Sequence, residues 1–307
     1  MTPDFATTPD VQALLDKLSG QDQPAGDARL KAITRRIVGD LFATIDAFDI
    51  SDDEFWAAMN YAAAGAPEFG LWAAGLGIER YLDMRADAKD AAAGADGGTP
   101  RTIEGPLYVA GAPESTGFAR LDDGSEPDAH VLIMHGQVRD VAGRPLAGAK
   151  VEVWHANTRG NYSHFDPTQS PFNLRRTIFT DAEGRYAFRS IVPVGYACPP
   201  GGSTEGILKA IGRHGNRPAH IHFFVSADGH RHLTTQINID GDPYLHDDFA
   251  YATREGLIPP IAHVERSALG ARYGVEGAFD EILFDFVLKP AASEAEAAAS
   301  TRARAAA

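Results

Sequence analysis

Residues 215–240 restrict the possible folds of this chain more than any other stretch, because they contain the apolar run His220-Ile221-His222-Phe223-Phe224-Val225. Side chains alternate faces along an extended strand, so His220 and His222 point one way while Ile221 and Phe223 point the other. Two imidazoles on one face of an apolar strand are a pair of candidate metal ligands. Taken alone, the pattern is equally typical of a half-buried strand with two ordinary histidines.

The flanks of this strand carry further polar groups. Arg217 and Pro218 lie just before it, and Asp228-Gly229 predicts a tight turn into a second strand that carries Gln236. We therefore expect a β-hairpin with an arginine at its entrance and a glutamine on its second strand.

The composition excludes several classes of protein. The chain has 307 residues, a formal net charge of −14 and one cysteine, Cys198. The negative charge disfavours nucleic acid and anionic membranes as partners, and one cysteine excludes an internal disulfide or a cysteine-clustered zinc site. No apolar run has membrane-spanning length, and the first residues lack the basic and apolar regions of a secretory signal. These features predict a globular protein of the cytoplasm.

The first ninety residues have the pattern of amphipathic helices. Apolar residues recur at spacings of three and four, which predicts one apolar helix face; they are Leu30, Ile33, Ile37, Leu41 and Ile45. The spacing of Ser51 and Glu54 is that of a capping box, which predicts that a second helix starts there. A third apolar stretch covers residues 71–84. The exposed apolar surface of these helices requires a packing partner, either the rest of the chain or a second subunit.

After the breaker-rich segment 91–100 the pattern changes to short strands separated by marked turns. Such a series predicts an all-β sandwich or barrel; the strands are expected at residues 131–139, 149–156, 176–180, 185–190, 220–227 and 232–239. The run 281–289 is expected to end this domain. We expect a helical and linker region over 1–100, a β domain over 101–290 and a disordered, alanine-rich tail over 291–307.

Two tyrosines lie in polar or irregular loops next to predicted strands. Tyr162 follows the segment WHANTRG, and Tyr196 lies in GYACPP, where glycine and prolines fix the backbone. Functional groups are often placed on such loops. A single tyrosine of this kind is more often an amphipathic residue at the edge of a core.

The motifs as a set resemble the intradiol ring-cleavage dioxygenases, specifically the catechol 1,2-dioxygenases. The resemblance covers most of the chain apart from its first residues and its tail; it is carried by TIEGPLYVAGAP, WHANTRG, GYACPP, GRHGNRPAHIHFFVSADGH, TTQINIDGDPY, DDFAYATREG and GLGIERYLDMRADAKD. It implies a mainly β fold, in which an antiparallel β-sandwich catalytic domain follows an N-terminal α-helical dimerisation region.

The resemblance makes Tyr162, Tyr196, His220 and His222 the ligands of one non-haem Fe(III) per subunit. Fe(III) favours hard anionic oxygen donors, and imidazole also suits iron. The His-x-His pair has no Asp or Glu at the spacing of an Fe(II) facial triad.

The resemblance also implies the reaction, in which catechol and O2 give cis,cis-muconate during the degradation of aromatic compounds. Tyr196 corresponds to the axial ligand that leaves and accepts a catechol proton. Arg217 corresponds to the arginine that stabilises the carbanionic substrate, and Gln236 to a residue that hydrogen-bonds near the metal. Residues expected to line the substrate pocket are Leu71, Ala74, Ile103, Pro106, Leu107, Phe249 and Ala250. Cys198 has no base at a recognised spacing and is expected to line the same pocket.

Two further expectations concern the helices. The N-terminal helices resemble the region through which members of the family form homodimers and enclose bound phospholipid. In the segment Gly70–Gly77 an alanine, Ala74, stands where many relatives have proline, which leaves more room, whereas Trp72 beside it adds bulk to the pocket.

Alternative interpretations remain open from the sequence. A hydroxyquinol or chlorocatechol 1,2-dioxygenase is one, since only the pocket decides among ring substituents. A non-catalytic, prealbumin-like β-sandwich binding module is another, although such modules do not need the two tyrosines, the His-x-His pair and Arg217. A structural zinc or copper site is a third.

Overall fold

The computed structural model describes residues 5–95 and 97–293, which divide into two compact units between Ala66 and Pro67. From the sequence, the boundary between the helical region and the β domain was expected near residue 100, after a third helical stretch. In the structure that stretch belongs to the second unit, where its helices pack with the β-rich part of the chain. The expected disorder after residue 293 lies outside the described residues. Ala291, inside the expected tail, is held by its N–H, which donates to the Gly229 carbonyl at 2.9 Å.

The helices of the described residues are short to medium in length. Their bounds are α1 Pro9–Leu18, α2 Ala28–Phe48, α3 Asp52–Gly65, α4 Phe69–Gly75, α5 Ile78–Ala92, α6 Ser203–Ala210 and α7 Ala268–Arg272, with 3-10 turns at Phe5–Thr7 and Ala66–Glu68. None of them, within the part of the chain that is described, is long and apolar enough to cross a membrane.

The helix boundaries of the first unit follow from local capping chemistry. The Asp27 carboxylate accepts a hydrogen bond from the Leu30 N–H at the start of α2. The predicted capping box is confirmed, because Ser51 and Glu54 each bond the other's backbone at the start of α3. Helix α2 contains no buried residue, so its apolar face is exposed in the single chain.

The predicted third helical stretch, residues 71–84, is two helices rather than one. Helix α4 ends before Gly77, whose φ of 74° lies in the left-handed region that favours glycine, and α5 begins directly after it. Helix α5 then continues to Ala92, into the segment expected to be linker. Glycine therefore redirects the chain at the point where the apolar periodicity looked continuous.

All strands in the described part of the chain lie in the second unit. Their bounds are β1 Glu114–Thr116, β2 Phe118–Arg120, β3 Val131–Asp140, β4 Lys150–His155, β5 Arg175–Phe179, β6 Arg185–Ile191, β7 Tyr196–Ala197, β8 Asn216–Arg217, β9 His220–Ser226, β10 Leu233–Asn238, β11 Ala262–Val264, β12 Phe279–Leu283 and β13 Phe286–Leu288. The run 281–289, expected to end the β domain, contains the end of β12 and all of β13.

The strands form two large sheets and one small one. The first sheet has the order β1-β5-β4-β9-β10, the second has the order β11-β12-β3-β6-β2 with β13 also on β3, and β7 pairs with β8. The expectation of an antiparallel domain needs correction, since β1 pairs in parallel with β5, β2 with β6, and β12 and β13 with β3. More described residues lie in helices than in strands, so "mainly β" describes the second unit and not the whole chain. Parallel partners come from distant segments, which no local turn signal can reveal.

Side chains from both large sheets meet in one buried core. Phe223 of β9 contributes from the first sheet, and its ring centroid lies 4.9 Å from that of Phe286 and 6.2 Å from that of Phe188, both in the second sheet. Ile221 and Val225 share this core, whereas His220 and His222 face away from it. The predicted alternation along β9 is confirmed.

The register of the first sheet determines what surrounds the histidine pair. In β9, His222 lies opposite Trp154 of β4 on one side and Gln236 of β10 on the other, and His220 lies opposite Asn238. The predicted hairpin therefore places Gln236 next to the histidines.

Gly136 of β3 provides a test of how tightly the second sheet is packed. A Cβ atom at this position would lie 1.8 Å from the Phe284 carbonyl oxygen, which is backbone and cannot move aside alone. We expect Gly136→Ala to lower the free energy of unfolding by about 1–3 kcal/mol or more. Gly277→Ala is the control, since nothing lies within 4 Å of its Cβ position. Equal urea midpoints for the two variants would contradict this packing.

Candidate active site

Four predicted side chains come together in the second unit although they lie far apart in the sequence. His220 and His222 are neighbours on β9, Tyr162 is in the loop after β4, and Tyr196 is in β7. Strand β7 pairs with β8, and this register sets Tyr196 opposite Arg217. Tyr162, His220 and His222 are buried, and Tyr196 is half-buried.

The polar ends of these four side chains converge on one point. The Tyr162 hydroxyl lies 3.4 Å from the Tyr196 hydroxyl, and each hydroxyl oxygen lies 3.4 Å from His220 Nε2. His220 Nε2 lies 2.9 Å from His222 Nε2. Two donors that each lie about 2.0–2.1 Å from one metal ion are separated by about 3 Å at ordinary bond angles. The four atoms are therefore spaced as donors around a single cation.

The protonation states of the histidines also suit a metal. Burial, followed by the charge of Arg217, lowers the pKa of His220 to about 3, and burial also lowers the pKa of His222. His220 Nδ1 lies 2.7 Å from the Pro218 carbonyl, which can only accept, so Nδ1 carries the proton. The lone pair of His220 Nε2 is thus directed at the tyrosines, as a metal ligand requires.

Tyr162 needs a cation beside it to ionise in this environment. Burial, and then the neighbouring Tyr196, raises the pKa of Tyr162 well above its ordinary value. A phenolate at this position is stable only if a positive charge lies beside it. In the part of the chain that the structure describes, no three His, Cys, Asp or Glu side chains are arranged to hold a metal ion. A metal at this point would therefore depend on the two phenol oxygens, and the donor set fits a hard cation with oxygen and imidazole ligands.

Arg217 is a buried cation beside the same four groups. Its Nη1 lies 3.0 Å from His220 Nε2, and its Nη2 donates to the Gln236 side-chain oxygen at 2.8 Å. Its Nε and Nη2 donate to the Asp248 carboxylate. Burial alone would lower the pKa of Arg217, but the Asp248 carboxylate raises it above its ordinary value. The guanidinium therefore remains charged within contact distance of the histidine.

A cavity of about 410 Å³ opens beside these groups. Tyr162, Tyr196 and Arg217 line it, and so does every residue expected to contact a substrate: Leu71, Ala74, Ile103, Pro106, Leu107, Cys198, Phe249 and Ala250. His220, His222 and Gln236 do not line it and lie buried behind its wall. The volume is in the range of small-molecule sites.

Some residues at the cavity were not found from the sequence. The lining also includes Gly105, Gly160, Asn161, Phe165, Asp166, Pro167, Ala197 and Pro199. Half of them belong to the WHANTRG-Tyr162 and GYACPP segments, and Gly105 belongs to TIEGPLYVAGAP, so motif membership was the available signal for these five. Asp248 was also missed, although it lies in the quoted motif DDFAYATREG.

Trp72 does not add bulk to the cavity, contrary to the expectation. Its indole N–H donates to the Ser203 hydroxyl at 3.1 Å, and Trp72 is not among the lining residues. Just before α4, the Glu68 carboxylate accepts hydrogen bonds from the Thr204 N–H and hydroxyl at the start of α6. These contacts fix α4, and therefore Leu71 and Ala74, against α6.

Cys198 lies in the cavity wall and has no activating neighbour. Burial raises the pKa of its thiol, and Glu205 and Glu68 raise it further. A Cβ at Gly215 would lie 2.1 Å from the Cys198 sulfur, so the thiol is packed against backbone. These surroundings favour a neutral packing residue over a nucleophile.

Comparison with known proteins identifies the family. The family model described as "Dioxygenase" matches residues 103–290, and the one described as "Catechol dioxygenase N terminus" matches residues 27–94. The chain belongs to the intradiol dioxygenase family. It is 54% identical to a catechol 1,2-dioxygenase of Pseudomonas sp. (strain EST1001), over 96% of this chain and 98% of that one. It is 57% identical to the catechol 1,2-dioxygenase of Acinetobacter baylyi, over 92% of each chain.

Solved structures of intradiol dioxygenases show the same fold. The crystal structure of catechol 1,2-dioxygenase from Pseudomonas arvilla C-1 superposes with a TM-score of 0.93 at 56% identity and covers 98% of each chain. Membership of this family makes the protein a ring-cleaving dioxygenase and implies a non-haem iron. The non-catalytic binding module is therefore disfavoured.

A tyrosine substitution tests whether the four converging groups of this intradiol dioxygenase hold a metal. We expect Tyr162→Phe to purify with much less bound metal than the unsubstituted protein, because one of four donors is removed. Tyr244→Phe is the matched control, since Tyr244 is partly exposed and its ring packs on His214. Elemental analysis of both purified variants measures the effect. Equal metal contents would exclude Tyr162 as a ligand.

Proposed function

We propose that the protein is a catechol 1,2-dioxygenase, which cleaves the ring of catechol between its hydroxylated carbons with O2 to give cis,cis-muconate. The observation that carries the proposal is the convergence of two phenol oxygens and two imidazole nitrogens, 2.9–3.4 Å apart, beside a partly open cavity with largely apolar walls. The identity of 54–61% to curated catechol 1,2-dioxygenases supports it.

The proposed cofactor is one non-haem Fe(III) per subunit, held by Tyr162, Tyr196, His220 and His222. The two catechol oxygens would chelate a ferric ion held there, which would make the ring reactive toward O2. The raised pKa of Tyr162 and the neutral histidines are the properties that support this assignment.

The residues of the chain orient and activate the substrate. The cavity wall, with Ile103 and Phe249 among its buried members, holds the catechol ring and excludes water. Half-buried Tyr196, as a phenolate ligand of the bound metal, would accept one catechol proton at its oxygen. Arg217 presents a fixed cation to the negative charge that develops on the ring, where a dry site makes it most effective. Gln236 holds the guanidinium by accepting a hydrogen bond from Nη2.

Oxygen consumption and product analysis test the activity. We expect catechol, O2 and cis,cis-muconate to change in a 1:1:1 ratio, and we expect the purified protein to contain iron and to absorb visible light through its phenolate ligands. Addition of catechol without O2 should shift that absorption to longer wavelength. Stoichiometric zinc in a colourless protein, or a ring-opened aldehyde as product, would overturn the proposal.

The same assay distinguishes the alternative substrates. Relatives named hydroxyquinol 1,2-dioxygenase and chlorocatechol 1,2-dioxygenase are 31% and 34% identical to this chain, well below the catechol 1,2-dioxygenases. We therefore expect the highest kcat/KM with catechol. A higher value with hydroxyquinol or a chlorocatechol would reassign the substrate and leave the reaction unchanged.

The assembly is proposed on the properties of α2. Leu30, Ile33, Ile37 and Leu41 form an apolar stripe that is at least 39% exposed in the single chain. A stripe of this size is typical of a protein or lipid interface. We propose that two copies associate through these helices, with phospholipid between them, and that the two sheets of the second unit form the catalytic β-sandwich. A cytoplasmic location stays a prediction of the composition.

A charge placed on the stripe tests the dimer. We expect Ile37→Glu to shift the protein from dimer to monomer at micromolar concentration, because the carboxylate would be buried at the interface. Ala43→Glu is the control, since Ala43 is exposed on the opposite side of α2. Sedimentation velocity measures both variants, and extraction with organic solvent measures bound lipid. A monomeric unsubstituted protein, or extracts without phospholipid, would contradict the respective part of the proposal.

A further inference from the structure

Asp248 is a carboxylate that is buried in full and is not among the cavity-lining residues. Its side chain is 0% exposed, and it forms an ion pair with Arg217. One carboxylate oxygen accepts from Arg217 Nε at 3.1 Å, and the other accepts from Nη2 at 3.0 Å. This two-point contact fixes the plane of the guanidinium as well as its position.

The contacts of Arg217 assign a direction to each of its nitrogen atoms. Asp248 accepts a hydrogen bond from Nε, and both Asp248 and Gln236 accept hydrogen bonds from Nη2. Nη1 is the nitrogen that remains, and it lies 3.0 Å from His220 Nε2. Because the guanidinium is planar, holding Nε and Nη2 directs Nη1 to the converging donor atoms. A cation bound only by charge, without this geometry, could rotate away from them.

The same carboxylate also orders the wall of the cavity. Its two oxygens accept hydrogen bonds from the N–H groups of Ala250 and Ala252, at 3.0 and 3.3 Å. Directly after Asp248, the Phe249 N–H donates to the carbonyl of Asn216, the residue before Arg217. An Asx-type turn of this kind fixes the backbone on which Phe249 and Ala250 stand.

We propose that Asp248 is the positioning residue of the reaction: it directs Arg217 Nη1 toward the reacting ring, and it fixes the position of the guanidinium relative to the cavity wall formed by Phe249 and Ala250. The inference rests on the proposed function, in which Arg217 stabilises charge on the substrate. A purely structural role leads to a different expectation. If Asp248 only stabilised the fold, its substitution would lower turnover equally with and without Arg217.

Asp248→Asn is the informative substitution. The amide keeps the size and one acceptor oxygen, but it removes the negative charge and cannot accept at both sites. We expect kcat to fall by about tenfold or more, while bound iron stays unchanged and the affinity for catechol without O2 changes by less than about threefold. Asp247→Asn is the matched control: its side chain is 82% exposed and pairs with His214, so kcat should not change.

A double-substitution cycle separates positioning from structure. If Asp248 acts through Arg217, Asp248→Asn should lower kcat by less than about twofold in an Arg217→Leu protein, because the group to be aimed is absent. An equal loss of kcat in both backgrounds would overturn the inference. So would an unchanged kcat in the single Asp248→Asn variant. A normal kcat in Arg217→Leu alone would instead overturn the role of Arg217 in the proposed function, and the inference with it.

A second variant keeps the inference testable if Asp248→Asn does not fold. Arg217→Lys keeps the ion pair with Asp248, but a single ammonium cannot hold Asp248 and Gln236 and also reach His220 as the planar group does. We expect it to retain iron and catechol affinity and to lose kcat by about tenfold. Full turnover by Arg217→Lys would show that a positive charge is sufficient and that its orientation does not matter, which would exclude the positioning role.

Discussion

Burial of β9 on both faces is the constraint on which the second unit depends. One face carries Ile221 and Phe223 into the core that both large sheets share, and the other carries His220 and His222. A strand buried in this way needs neighbours on both edges, and β4 and β10 supply them. The histidines therefore lie on a rigid support, as a site that must hold a fixed geometry requires.

Desolvation explains why the site needs compensating charges. The same burial lowers the pKa values of His220 and His222 and raises that of Tyr162, so it favours the neutral form of each group. Arg217 is the exception, since it stays charged because the Asp248 carboxylate is buried with it. A buried ion pair is costly unless its hydrogen bonds are satisfied, and here Gln236 and the backbone N–H groups after Asp248 complete them.

Local patterns predicted the interior strands well and the edges poorly. Strand β6 follows the marked turn at 181–184, and its predicted start at residue 185 is correct. The three-residue strands β1, β2 and β11 were missed, because so short a segment has no measurable periodicity. Their pairing, which is parallel for β1 and β2, depends on contacts with strands that are distant in the sequence. The split of residues 71–84 at Gly77 was likewise decided by one left-handed residue within a continuous apolar pattern.

The sequence by itself determined which chemical groups the site contains and which way β9 presents them, because alternation along a strand is a property of the backbone. It also placed the cavity residues in recognisable motifs. Only the tertiary structure brought Tyr162 within 3.4 Å of a histidine 58 positions away, turned Trp72 away from the cavity and assigned Asp248 to Arg217. These relations depend on the packing of segments that are remote in the chain, and no local spacing contains that information.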